Sequence, residues 1–137
     1  MEFTVTATGH ENVTATHAST WEVTTDDYLT PAGDCILGID ADFASAEVER
    51  DFVTACRDPD AEITARFEAD GHVDVIAGAG HPDLEYSNER GFVGRTSEYV
   101  DDRTVMVNAD KSAADLDRDL IDALADGAAL TLTMTVE

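Results

Sequence analysis

The chain has 137 residues, of which 30 are acidic and 8 basic, giving a formal net charge of -22, and 43% of its residues are apolar. That length suits one domain spanning residues 1–137, whose core buries roughly two thirds of the unfolded surface, and apolar residues in periodic blocks exclude a disordered chain. The charge works against nucleic-acid binding, which rests on neutralising phosphates with Lys and Arg, and no apolar run approaches a membrane span.

The N-terminus opens on alternating Phe3, Val5 and Ala7, which predicts a strand and not a signal segment. After the polar turn Gly9-His10-Glu11-Asn12 the alternation resumes at Val13 and Ala15 and continues at Trp21 and Val23. Thr30-Pro31-Ala32-Gly33 reads as a turn, followed by a strand carrying Cys35, Leu37 and Ile39 on one face and Ile36 on the other. Ser45 can cap a helix ahead of Val48, Phe52 and Cys56 at helical spacing, and Arg57 and Pro59 are expected to close it. Ile63, Ala65 and Phe67 alternate, Asp70-Gly71 is a hairpin turn, and Val73, Val75 and Ala77 alternate on the return. From Gly78 to Gly94 a polar, glycine-containing stretch predicts a long irregular loop, and long loops often carry function. Val105 and Val107 form a strand, Ala113, Leu116, Leu120 and Leu124 one face of a helix ended by Gly127, and Leu130 to Val136 a closing strand that alternates with threonine.

This order predicts a mainly β chain with two helices, an α+β fold built as an antiparallel β-sandwich or flattened barrel, and shows no internal repeat. Acidic residues are dispersed from Glu2 to Glu137 and Lys111 is the single lysine, a pattern suited to molar salt, where the Debye length falls to about 3 Å and carboxylate repulsion is screened. Cys35 and Cys56 have no metal-type spacing and read as reduced thiols in a cytoplasmic protein.

Several segments fall into a recognisable order: Gly9-His10-Glu11-Asn12, Ala15-Thr16-His17-Ala18-Ser19-Thr20-Trp21-Glu22-Val23-Thr24 and Gly33-Asp34-Cys35-Ile36-Leu37-Gly38. With Gly80-His81-Pro82, Arg95-Thr96-Ser97 and the stretch from Arg103-Thr104 to Ala109-Asp110-Lys111, the chain resembles the archaeal family called domain of unknown function 371. The resemblance implies an archaeal cytoplasmic protein with a mainly β, sandwich-like fold and no established activity, and paired with the acidic composition it points to a haloarchaeal member. Where the family pattern carries a further His after Gly80-His81-Pro82, this chain has Tyr86, Ser87 and Asn88.

Candidate chemistry rests on few residues. His10 and His17 are candidate metal ligands, and with Glu22 and Asp34 they supply donor types that zinc or manganese accepts. The same four are the candidate catalytic residues, although a regular pleat puts His17 and Glu22 on opposite faces. Cys35 would need a nearby base to act as a nucleophile, and its parity with Leu37 favours the core. In a chain so poor in cations, Arg95, Arg103 and Lys111 lie close together in sequence. Lys111 at the start of the second helix is the wrong sign for the macrodipole, so these three are the candidate ligand-binding residues for an anionic small molecule. The alternatives are a metal-assisted hydrolase, or a non-enzymatic interaction or assembly module whose polar residues only stabilise turns. The pattern names neither a cofactor nor an oligomeric state.

Overall fold

The computed structural model describes residues 1–137 and contains two four-stranded sheets. The strands are β1 (Glu2–Thr8), β2 (Thr20–Thr24), β3 (Ile36–Gly38), β4 (Glu62–Ala69), β5 (His72–Ala79), β6 (Gly91–Arg95), β7 (Thr104–Met106) and β8 (Ala129–Val136). Helices α1 (Arg50–Cys56) and α2 (Arg118–Ala125) precede β4 and β8. The first sheet has the order β1-β8-β4-β5 and the second β3-β2-β6-β7. No helix is long and apolar enough to cross a membrane.

The mainly β architecture with two helices is as the sequence predicts, and alternation explains it. Leu130, Leu132, Met134 and Val136 of β8 all face inward, as do Ile63, Ala65 and Phe67 of β4, and they meet Trp21 and Phe92 of the second sheet in one 35-residue core cluster. Trp21 stands edge-on to Phe67 at 5.0 Å between ring centroids, joining the layers. The Asp70-Gly71 hairpin forms as expected, with both residues at positive φ (51° and 80°), the backbone of a type I′ turn. The flattened barrel does not form. Single bridges, Thr8 to Ile39 and Ala79 to Val107, tack the sheet edges together without closing a ladder. Nor is the sandwich wholly antiparallel, because β3 runs parallel to β2 and β7 parallel to β6. Alternation fixes which face a side chain takes but carries no information on strand direction.

Four predicted elements differ from expectation. The loop predicted from Gly78 to Gly94 contains the last two residues of β5 and most of β6. Gly91 and Gly94 read as breakers, yet they lie within β6 because there is no room for a side chain. A Cβ on Gly94 would overlap the Trp21 indole, and one on Gly91 would lie 2.9 Å from the Val23 carbonyl oxygen. Residues Val13 and Ala15 are buried in a loop, not a strand. Both predicted helices are interrupted. Ser45–Glu47 and Ala113–Asp115 are single 3₁₀ turns, Val48 and Leu116 are extended (ψ 139° and 152°), and the α-helices begin only at Arg50 and Arg118. The Val48 and Leu116 carbonyls, freed from any helical ladder, accept hydrogen bonds from Arg50 Nη2 at 3.0 Å and Arg118 Nε at 3.0 Å. Lys111 therefore does not sit at the start of α2, which Asp117 caps through Oδ1 to the Asp119 and Leu120 N–H groups.

The fold is an internal repeat, contrary to the sequence expectation, and short sequence matches mark it. Each half runs strand, loop, strand, parallel strand, 3₁₀ turn, α-helix, strand. Gly9-His10 recurs as Gly80-His81, positive-φ Ala15 (49°) as Tyr86 (48°), Asp40 (53°) as Asn108 (50°), and Arg50 as Arg118. The His10 and His81 imidazoles repeat the same bond, Nδ1 accepting the N–H two residues on at 3.0 Å. Pairing of β2 with β6 places Glu22 opposite Val93, and these two positions are each other's counterpart in the repeat. The pseudo-twofold axis therefore passes between them.

Candidate functional site

Trp21 and Val23 are fully buried against the core, so their strand neighbours Glu22 and Thr24 face the outer side of the second sheet. Ile36 lies beside Glu22 across the parallel pair. Asp26, Asn88, Arg90 and Arg103 rise around these three to form an open cleft of about 440 Å³.

Glu22 lies on the pseudo-axis and receives one neighbour from each half. The Cys35 thiol donates to Oε1 at 3.7 Å, and Arg103 Nη1 stands 3.7 Å from Oε2. Cys35 and Arg103 are counterparts, each immediately preceding the short parallel strand of its half. Burial raises the Glu22 carboxyl above its usual range, and the Arg103 charge only partly offsets it. Burial, reinforced by the Glu22 charge, pushes the Cys35 thiol up to about 11. Cys35 is thus a protonated donor at neutral pH and not a nucleophile. It is also not in the core as its parity suggested, because the Ile36 N–H still bonds Gly33 and the chain is in a turn at that point.

Beside them, Asp101 organises two arginines. Arg95 donates Nη2 to Asp101 Oδ2 at 2.9 Å and Nε to Thr104 Oγ1 at 2.9 Å, and its guanidinium lies 4.8 Å over the Tyr99 ring. Burial works to raise the Asp101 carboxyl, but the Arg103 N–H and the Arg95 charge outweigh it and hold the group below its usual range. Arg103 Nη2 is 3.5 Å from the same oxygen. At the cleft's other end Arg90 grips Asp26 as a fork, with Nη2 2.8 Å from Oδ2 and Nε 3.2 Å from Oδ1. Asn88 Oδ1 accepts the Arg90 and Gly91 N–H groups, at 2.7 and 3.0 Å, and fixes that turn.

The structure brings Glu22, Arg95 and Arg103 together. Lys111 bonds Asp74 Oδ1 at 2.6 Å instead, and Asp74 Oδ2 accepts the Asp117 N–H at 2.9 Å, so this pair ties β5 to the approach to α2. His17 Nδ1 accepts the Ser19 and Thr20 N–H groups at 3.2 and 3.1 Å, an arrangement of turn caps like that of His10. The Asp34 backbone carbonyl takes the Thr16 and His17 N–H groups. No three His, Cys, Asp or Glu side chains converge as metal donors, so His10, His17, Glu22 and Asp34 are not assembled into one centre. Asp26, Asn88, Arg90 and Asp101 were not singled out from sequence. The scarcity of arginine was the signal that could have found Arg90.

A family model described as a domain of unknown function, DUF371, matches residues 5–137. The chain belongs to the DUF371 family. A DUF371-length relative, the uncharacterised protein MJ0206 of Methanocaldococcus jannaschii, is 42% identical over 136 residues, covering 99% of this chain and 100% of the relative. The similarity thus places an archaeal relative beside this DUF371 chain and brings no activity with it.

Proposed function

We propose that the cleft on the second sheet binds a small anionic molecule, with Arg103 as its principal contact and Arg90 at the rim. One observation carries this reading. Of the eight basic side chains, that of Arg103 alone has every charged or polar partner at 3.5 Å or beyond, while the other seven each have a partner within 3.1 Å. Its side chain is 41% exposed and lines the cleft, so its donors are free to form the paired bonds that carboxylates and phosphates accept. Arg95, locked onto Asp101 and Thr104, supports this residue from behind, and Lys111 takes no part. Burial raises the affinity of the Glu22 carboxyl for a proton, and once protonated it is a hydrogen-bond donor to whatever Arg103 orients.

Calorimetric titration with inorganic phosphate, sulfate and small carboxylates, at one fixed high potassium chloride concentration, tests this. Binding of at least one is expected, weakened at least about tenfold in Arg103→Gln, as the loss of a charge-assisted pair requires. If the panel fails to bind, or binds Arg103→Gln equally well, the reading is wrong. The dispersed acidic surface and the archaeal relative also support a salt-rich archaeal cytoplasm as the setting for this protein.

A further inference from the structure

Three guanidinium groups and three carboxylates meet on this face: Arg90, Arg95 and Arg103 against Glu22, Asp26 and Asp101. An anion entering so balanced a set meets no net positive charge, and the field of a chain at -22 repels it. Two of the carboxylates are well supplied with donors. Asp26 holds the Arg90 fork, and Asp101 takes Arg95, the Arg103 N–H at 3.0 Å and the Thr104 hydroxyl at 3.1 Å.

Glu22 is different. Its side chain is 15% exposed, its one hydrogen-bond donor is the weak Cys35 S–H at 3.7 Å, and Arg103 stands off at 3.7 Å. A carboxylate so poorly solvated gains by accepting a proton. Once neutral, it no longer attracts Arg103, whose charge is then shared with Asp101 alone, and it presents an O–H to the same cleft.

We infer that an anion enters this cleft together with a proton, which Glu22 takes up; this rests on the anion-binding reading and adds its regulation. The titratable and charged groups facing Glu22 are Cys35 ahead of β3, Asp26 beyond β2, Arg90 ahead of β6, Arg95 on β6, and Asp101 and Arg103 ahead of β7. Cys35 stays a thiol through the neutral range, the three arginines stay charged, and Asp101 is held ionised by its donors. The opposing neighbours of Glu22 therefore keep their charge state while Glu22 changes its own.

Calorimetry of the whole chain with potassium sulfate and potassium acetate, at fixed potassium chloride and from about pH 6 to about pH 8, provides the test. In buffers of different ionisation enthalpy, wild type is expected to take up about one proton per anion, and binding to weaken about tenfold per pH unit. Glu22→Gln keeps binding but loses both the uptake and the slope. The buffer comparison on wild type needs no variant, and circular dichroism checks that Glu22→Gln is folded. Binding without proton uptake, or an undiminished pH slope in folded Glu22→Gln, overturns the coupling and leaves the anion site standing. Failure of both anions to bind wild type at any pH overturns the coupling and the anion site together.

Discussion

Arg50 and Arg118 hold equivalent places in the two halves of the chain, and each reaches across to the other half. Arg50 donates to the Glu85 and Tyr86 carbonyls at 3.1 and 3.0 Å, and Arg118 donates to those of Thr14 and Ala15 at 3.4 and 3.2 Å. Tyr86 and Ala15 are the matched positive-φ residues, so each arginine clamps the strained turn of the opposite loop.

Removing either clamp strands several carbonyls at once. Arg50→Ala and Arg118→Ala should each cost about 2 kcal/mol, lowering the melting temperature by about 6 °C for a chain of this size. Lysine should not restore it, because one ammonium on a flexible stem cannot serve carbonyls spread over two segments. Differential scanning calorimetry of the alanine and lysine variants decides the point, and a full rescue by lysine would contradict the clamp.

Gly94 and Gly71 make opposite demands. A Cβ at Gly94 collides with the indole of fully buried Trp21, whereas at Gly71 there is open space and the obstacle is only a φ of +80°. Gly94→Ala should destabilise by about 3 kcal/mol or prevent folding, and Gly71→Ala by about 1 kcal/mol. Urea unfolding of both variants checks the order, and equal losses would argue against the Trp21 packing described.

Stability should respond to pH with opposite signs at two carboxylates. The native Glu22 carboxyl binds its proton more tightly than the unfolded one, so its contribution is present in acid and is lost as pH rises through the folded value. For Asp74, burial raises the carboxyl, but the bonds from Lys111 and the Asp117 N–H outweigh it and hold the group low. Its contribution is present above the unfolded value and lost as pH falls. Glu22→Gln should therefore be more stable than wild type at neutral pH, a difference that shrinks toward about pH 4, and Asp74→Asn less stable, a difference that holds at about pH 4 and shrinks only below it. Thermal melts at the two pH values test this, and a matching sign for the two variants would be inconsistent with it.

With a net charge of -22 on so small a chain, the folded state should depend on screening. The protein is expected to be folded in molar potassium chloride and to lose structure on dialysis to low salt, as the Debye length grows from about 3 Å to about 10 Å or more. Circular dichroism followed against salt concentration measures it. An unchanged spectrum and melting temperature at low salt would remove the argument for salt adaptation.

Much of this fold is written locally. Leu130 to Val136 alternate with threonine, Asp70-Gly71 supplies two positive-φ residues, and Gly127 stops α2, because strand faces, turns and helix ends are set by residues within a few positions of one another. Composition likewise fixes the acidic surface, and Arg95 and Arg103 stood out by their rarity. What the tertiary structure alone decided depends on residues far apart in the chain. The repeat is faint in sequence because only short matches such as Gly9-His10 with Gly80-His81 and Arg50-Asp51 with Arg118-Asp119 survive, while Cys35 matches Arg103 and Glu22 matches Val93, pairs with no chemical likeness. The β6 glycines looked like loop because the indole and carbonyl that require them come from β2. Lys111, a ligand candidate by sequence, is held by Asp74 on the distant strand β5. The cleft itself exists only because the pairing of β2 with β6 carries Arg90 and Arg103 alongside Glu22, and burial of Glu22, which sets its affinity for a proton, is a property of that assembled face.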